Sequence, residues 1–107
     1  MGDRQILPQR RMTVTFTLRF WGQDWNVSVG FFDDCRPGEV FINAAKTPGT
    51  DLDASSRDNA ILLSLLMQHG AELDLMQRAL TRNANGEPSS IAGAVIDTIR
   101  EIQGWHQ

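Results

Sequence analysis

The chain has 107 residues, a length that allows one folded domain and excludes a catalytic barrel with a separate cofactor domain. Its net charge of -3 argues against the broad basic surface that a nucleic-acid backbone binds, so nucleic acid is an unlikely partner. Its single cysteine excludes an internal disulfide, a CxxC redox pair and a multi-thiolate metal site.

The N-terminal segment, residues 1–12, lacks an apolar period and contains Pro8. We expect a flexible arm there, followed by a single domain over residues 13–107. Arg10 and Arg11 in this arm are either solvated or in contact with an acidic partner. The segment has no apolar signal region, and no apolar run approaches the ~20 residues that cross a bilayer. We therefore expect a cytoplasmic location without membrane association.

Three β-strands are expected in the first half of the chain. Apolar and polar residues alternate over residues 13–20, and the alternation resumes over residues 25–31 after a turn signal. A second turn contains Pro37 and Gly38, and the β-branched and aromatic residues at 39–43 then predict a third strand. The simplest connection is an antiparallel meander.

A long helix is expected over about residues 52–69, where the apolar period changes from two to about 3.6. Asp51 or Asp53 is expected to cap its first turn. Its apolar face carries Ala54, Asp58, Ile61, Leu62, Leu65, Leu66 and His69. Leu63 and Met67 extend this surface round the flank of the helix. One sheet face covers only one side of a helix, so the remainder is covered either by other helices or by a partner subunit.

Two shorter helices are expected after Gly70. Residues 72–82 predict the second, and the third begins after Ser89 or Ser90 and ends at Gly104. The inward residues of the third helix are Ala92, Val95, Ile96, Ile99 and Ile102. The predicted fold class is therefore α+β, a three-stranded antiparallel meander followed by three helices packed on one face.

One candidate ligand site is the turn between the third strand and the long helix. Backbone N–H groups at such a junction can hold an anion, and Asn43, Lys46, Thr47 and Thr50 supply polar side chains. The lysine precedes the glycine and the spacing of a phosphate-binding loop is absent, so a plain connecting turn is the other interpretation.

Candidate catalytic chemistry is sparse. Cys35 lies between Asp34 and Arg36 in an expected surface turn, where it is either a reactive thiol or an incidental surface cysteine. His69 is expected to cap the C-terminus of the long helix, and His106 is two residues from the end of the chain. We expect no catalytic residues, no metal site and no cofactor.

The apolar content predicts self-association. Phe41 is expected to point to the sheet face opposite Val40 and Ile42, so both faces carry apolar groups. We expect a twofold homodimer with an interface that includes Phe41, Leu63 and Met67.

The stretch over residues 34–49 resembles the centre of the TSCPD domain, which follows the catalytic barrel of cobalamin-dependent ribonucleotide reductases. The shared features are Arg36-Pro37, the strand Glu39-Val40-Phe41-Ile42-Asn43, and Lys46 in a glycine-containing turn. The helix that runs through Ser64-Leu65 to His69-Gly70 is similar to the Ser-Leu and Gly-bounded helix of that domain. Stretches 56–58 and 79–83 also resemble small free-standing bacterial proteins of the same domain family.

The resemblance implies a non-catalytic accessory or protein-binding domain that acts through a partner such as a ribonucleotide reductase, or as a self-associating module. The Thr-Ser-Cys-Pro-Asp motif is absent, and residues 89–93 stand roughly where it is expected. Ribonucleotide reduction needs a radical-forming cysteine and a dithiol, so the resemblance concerns the domain rather than the activity. The alternative is a small-ligand or nucleotide-binding regulatory protein that uses Lys46, Thr47 and Thr50.

Overall fold

Three strands are followed by three helices in the computed structural model, which describes residues 3–104. The elements are β1 (Thr13–Phe20), β2 (Gln23–Phe31), β3 (Pro37–Ala44), α1 (Asp51–Gln68), α2 (Leu73–Ala79) and α3 (Ile91–Gly104). The strands form one antiparallel sheet in the order β1-β2-β3. The α+β class and the meander are thereby confirmed. Within residues 3–104, no helix is long and apolar enough to cross a membrane.

The strand register places the alternating residues on two chemically different faces. Val29 pairs with Val14 on one side and Val40 on the other, and the next apolar row follows through Val27. This face packs against the helices and forms the core. The opposite face carries polar rows, one of which runs through Thr15, Ser28 and the exposed Phe41. Phe41 therefore lies on the face opposite Val40, as the alternation predicts.

The β1–β2 hairpin closes through a two-residue turn. Trp21 and Gly22 both have positive φ, at 52° and 71°, which is the backbone twist that a tight hairpin requires. The indole Nε1 of Trp25 donates to the carbonyl of Phe20 at 3.0 Å, which ties the second strand to the end of the first. Trp25 is fully buried, so its polar atom is satisfied inside the core.

Helix α3 supplies the largest helical share of the core. Its predicted inward residues Ala92, Val95, Ile96, Ile99 and Ile102 are all buried, and Ile91 and Ala94 join them. The hydroxyl of Ser90 accepts from the backbone N–H of Gly93 at 3.3 Å, so the N-terminal turn has a local acceptor. Helix α2 adds Leu73 and Met76 to the core.

Helix α1 has the predicted extent, but the flank of its predicted apolar surface is in the core rather than the main face. The buried side carries Asp53, Ser56, Ala60, Leu63, Met67 and Gln68. The stripe Ile61, Leu62, Leu65 and Leu66 is exposed on the opposite side. The cap also differs from the prediction, because Thr50 is the N-cap and its hydroxyl accepts from the backbone N–H of Asp53 at 3.1 Å.

Helix α1 lies along the outer edge of β3 and supplies it with hydrogen-bond partners. Gln68 Nε2 donates to the carbonyl of Gly38 at 2.9 Å. The Ser64 hydroxyl accepts from Val40 N at 2.8 Å, and Asp53 Oδ1 accepts from Ala44 N at 2.8 Å. An edge strand leaves every second residue's backbone groups without a strand partner, and here helix side chains bind them. The polar residues of α1 must therefore face the sheet, and this turns the leucine stripe outward.

Residues 3–12 contain no helix or strand, and several of them contact the domain. The backbone N–H of Gln5 donates to the carbonyl of Gln68 at 2.6 Å, and Arg4 Nε donates to the side chain of the same residue at 2.6 Å. Arg11 Nε pairs with Glu39 Oε2 at 2.6 Å. This segment therefore lies beside both the end of α1 and the polar face of the sheet.

Candidate functional site

The four predicted ligand-binding residues lie around one turn, and the side chains of two of them bind the protein itself. Thr50 caps α1, and the Thr47 hydroxyl donates to Gln23 Oε1 at 3.1 Å. Asn43 is half-buried at the end of β3, and Lys46 is exposed. The turn therefore brings together the strand, the hairpin and the helix, and ligand binding there stays a prediction.

The carboxylate of Asp53 already accepts the backbone N–H hydrogen bonds that an anionic ligand of this turn would need. Its side chain is 2% exposed, and its carboxylate accepts from Ala44 N at 2.8 Å and from Gly49 N at 3.0 Å. These two backbone donors, with a smaller contribution from Arg57, hold the pKa of Asp53 below its ordinary value against the opposing effect of burial. A phosphate would have to displace this carboxylate or approach its negative charge.

Cys35 is exposed at a backbone φ of 70° in the turn between β2 and β3. The neighbouring Arg36 donates to Asp34 Oδ2 at 2.7 Å and lies over the ring of Phe32. The Arg36 hydrogen bond lowers the pKa of Asp34. No group of three or more potential metal ligands occurs in residues 3–104, and His106 lies outside this range.

The predicted interface residues fall in two different environments. Phe41 is 56% exposed on the polar sheet face. Leu63 and Met67 are only 5% and 3% exposed and belong to the core, so their placement on an outer surface was wrong. The physical reason is the rotation of α1 that brings Ser64 and Gln68 to the edge of β3.

Four of the exposed large apolar side chains lie together on the opposite side of the same helix. Ile61, Leu62, Leu65 and Leu66 recur at helical spacing over the last two turns and form what we call the α1 apolar surface. The sequence shows this stripe clearly, but it left open whether other helices of the chain or a partner subunit cover it. Its exposure became visible only in the folded chain.

An open groove of about 450 Å³ runs between this surface and β3. Phe41 and Ile42 line it from the strand, and Ile61 and Leu65 line it from the helix. Arg4 and Arg57 are also part of its lining. Glu39 lines it as well, so charged residues of both signs lie beside the apolar floor. Such a groove is suited to a protein segment that carries apolar and polar side chains.

A second polar region lies at the other end of the fold. Arg82 makes two hydrogen bonds to Asp97, at 3.0 and 2.6 Å, and these lower the pKa of the Asp97 carboxyl. Gln77 also donates to it at 2.9 Å. Together with Glu87 and Glu101, Asp97 lines a cleft beside the C-terminal end of β1, which we call the acidic cleft.

Two curated relatives match the chain. A vitamin B12-dependent ribonucleotide reductase from Rhodopirellula baltica is 28% identical over 108 residues, which cover 94% of this chain and 10% of the relative. An enzyme of the same name from Bradyrhizobium diazoefficiens is 35% identical over 81 residues, which cover 76% of this chain and 6% of the relative. The chain is related to a short region of these enzymes.

The chain spans a tenth or less of the length of either relative. No family model matches it, so membership of the TSCPD family stays a prediction. No solved structure matches it either. The relation therefore concerns a small part of the reductases.

Proposed function

We propose that the chain is a non-catalytic accessory domain of the TSCPD type that binds a larger enzyme, such as a ribonucleotide reductase, through the α1 apolar surface. The observation that carries this proposal is the exposure of four large aliphatic side chains on a helix whose other side is already in the core. Exposed apolar patches of this kind mark interaction sites on soluble proteins.

The relation to the reductases supports a protein partner. In both relatives the matched region is a small part of a much longer chain. A surface that is open on the isolated domain is available there for contact with the rest of the enzyme. The corresponding contact here is made with a separate enzyme or with another part of a longer chain.

The chemistry of the domain supports a binding role over a catalytic one. The 107 residues hold one cysteine, which cannot form the dithiol that ribonucleotide reduction requires. The Asp53 carboxylate already binds two backbone donors of the turn that an anionic ligand would use. The groove beside Phe41 instead offers apolar contact area together with Arg57.

Interferometry against the ribonucleotide reductase of the same organism tests the proposal. The chain is immobilised, and the expected result is saturable binding of the enzyme. Leu62→Glu should weaken this binding about tenfold or more, because it places a charge where the complex would bury an apolar side chain. The matched control is Ser55→Glu, which places the same charge at an exposed position of the same helix.

Circular dichroism should give the same helical signal for both variants, because neither position is in the core. If the enzyme does not bind, or if both variants bind as the unaltered chain does, the α1 apolar surface is not its binding site.

A further inference from the structure

The two edge strands of the sheet, β1 and β3, differ in what binds their outward backbone groups. The hydrogen bond from Phe31 N to Met12 O, with the register of β1 and β2, directs the backbone groups of alternate β1 residues toward β2. The backbone N–H and C=O groups of Thr13, Thr15, Thr17 and Arg19 consequently point away from the sheet. No strand among residues 3–104 pairs with that side of β1.

The contrast with β3 is informative because β3 is also an edge strand. Its outward backbone groups bind Gln68, Ser64 and Asp53 of α1. Proteins usually protect open edges with such coverage, or with a bulge, a proline or inward charges. Within residues 3–104, strand β1 has none of these, since its register to β2 is regular over all eight residues and Arg19 is its only charged residue.

The side chains of β1 are also incompletely covered. Val14, Phe16, Leu18 and Phe20 face the helices but remain half-buried, whereas the residues that pair with the first three of them in β2, and the next residues along in β3, are buried. The strand therefore offers a row of hydrogen-bonding groups together with a row of partly covered apolar side chains. A further strand placed beside β1 would bind the outward backbone groups and cover the partly exposed apolar side chains.

We propose that β1 pairs antiparallel with β1 of a second copy of this chain, so that two three-stranded sheets become one six-stranded sheet around a twofold axis. A twofold axis through Phe16 opposes Val14 to Leu18 of the partner and Thr13 to Arg19 of the partner. All four outward residues then form hydrogen-bonded pairs. The inference does not depend on which enzyme binds the α1 apolar surface.

Charge distribution favours this occupant and this direction. Arg19 is already paired with Asp24 at 3.2 Å, so the strand adds no unpaired like charges to the interface. The acidic cleft lies beside the C-terminal end of β1, and the exposed Arg10 lies just before its N-terminal end. Antiparallel pairing places the N-terminal end of each β1, which Arg10 precedes, beside the acidic cleft of the other copy. A parallel arrangement would not bring these groups together.

Hydrogen exchange provides a test that needs no substitution. At high protein concentration, the amides of Thr13, Thr15, Thr17 and Arg19 should exchange slowly, and on dilution below the dissociation constant they should exchange fast. The amides of Val14, Phe16 and Leu18 are the internal control, because they bond to β2 at every concentration. Fast exchange of the four outward amides at all concentrations would overturn the proposal.

Light scattering on two variants tests the same edge. The unaltered chain should show a mass near twice 12.0 kDa at high concentration. Thr15→Pro removes one outward N–H without removing a bond to β2, so it should raise the dimer dissociation constant about tenfold or more. Thr15→Ala removes the same side-chain hydroxyl but keeps the N–H, and should leave the dimer nearly unchanged.

The remaining outcomes also decide the question. A mass of 12.0 kDa at every concentration overturns the proposal, and so does a dimer that survives Thr15→Pro but is lost in Leu62→Glu. The second outcome would place the dimer contact on α1. Should Thr15→Pro fail to fold, the concentration dependence of the four amides still decides. Neither experiment includes the reductase, so failure here leaves the enzyme-binding proposal separately testable.

Discussion

Asp53 is the residue on which the junction between sheet and helix depends. Its two carboxylate oxygens bind the end of β3 through Ala44 and the following turn through Gly49. The same residue stands in the first turn of α1, where its negative charge is favoured by the helix dipole. One buried carboxylate thus joins three segments.

The pH dependence of the folding stability should reflect the ionisation of the Asp53 carboxyl group. The pKa of Asp53 is lower in the folded chain than the ordinary value of 3.8, so the unfolded chain takes up the proton first as the pH falls. Its contribution is therefore complete above about pH 4 and is lost as the pH falls through 3.8 toward the folded pKa. Asp53→Asn should lower the melting temperature by several degrees at pH 7 and by less at pH 3.

Asp51→Asn is the matched control, because Asp51 is an exposed acid in the same helical turn. Thermal unfolding of the three proteins at both pH values gives the comparison. An equal effect of the two substitutions at pH 7 would show that the helix dipole, rather than the two backbone hydrogen bonds, accounts for the stabilisation.

Lys46 offers a second test at the scale of a residue. Because the Asp53 carboxylate already binds the N–H groups of Ala44 and Gly49, we expect no micromolar binding of nucleoside triphosphates to this turn. Calorimetry against a nucleotide panel is the measurement. Saturable heat that Lys46→Ala abolishes would instead support the regulatory alternative, with Thr47 and Thr50 as the remaining polar contacts.

At the scale of an element, α1 carries two apolar stripes, and the fold buries the less hydrophobic one. Leu62 is 59% exposed and its neighbour Leu63 is 5% exposed. The buried stripe is next to Ser64 and Gln68, which bind the edge of β3. Unpaired backbone groups are expensive to leave buried, so their satisfaction decides which stripe faces inward.

Adjacent leucine substitutions test this orientation directly. Leu63→Ala should lower the free energy of unfolding by about 2–5 kcal/mol, because it leaves a cavity in the core. Leu62→Ala, the same chemical change one residue earlier, should alter it by no more than about 0.5 kcal/mol. Urea denaturation at a concentration where the chain is monomeric measures both. The reverse order would mean that α1 packs with its leucine stripe inward.

At the scale of the whole molecule, the two proposed surfaces lie at opposite edges of the sheet. Strand β1 forms one edge, and β3 with α1 along it forms the other. A dimer through β1 would therefore leave two α1 apolar surfaces open to enzyme partners. Assembly and enzyme binding are then independent functions of one small domain.

This independence gives a prediction for paired measurements. Leu62→Glu should weaken enzyme binding and leave the dimer mass unchanged. Thr15→Pro should weaken the dimer and leave the intrinsic affinity for an enzyme in solution unchanged, although binding to an immobilised enzyme weakens because avidity is reduced. Light scattering and solution calorimetry measure the two quantities. If either substitution affects both, the surfaces overlap or are coupled.

The sequence alone determined the order of the elements, because the signals for them are local. Strict alternation over residues 13–20, the turn at Trp21-Gly22 and the apolar stripe of α3 each predict a structure that neighbouring residues largely specify. Even Phe41 was placed on the correct sheet face, since alternation in a strand needs no knowledge of distant segments.

Only the tertiary structure decided which surfaces remain open. Leu62 and Leu63 are the same residue type one position apart, so their different burial depends on the contact of Ser64 with Val40, 24 residues earlier in the chain. The roles of Asp53 and of the β1 edge depend likewise on which strand lies next to α1. Hydrogen bonds between α1 and β3 set the rotation of the helix that exposes the leucines. Because α1 lies along β3, β1 is left as the uncovered edge among residues 3–104.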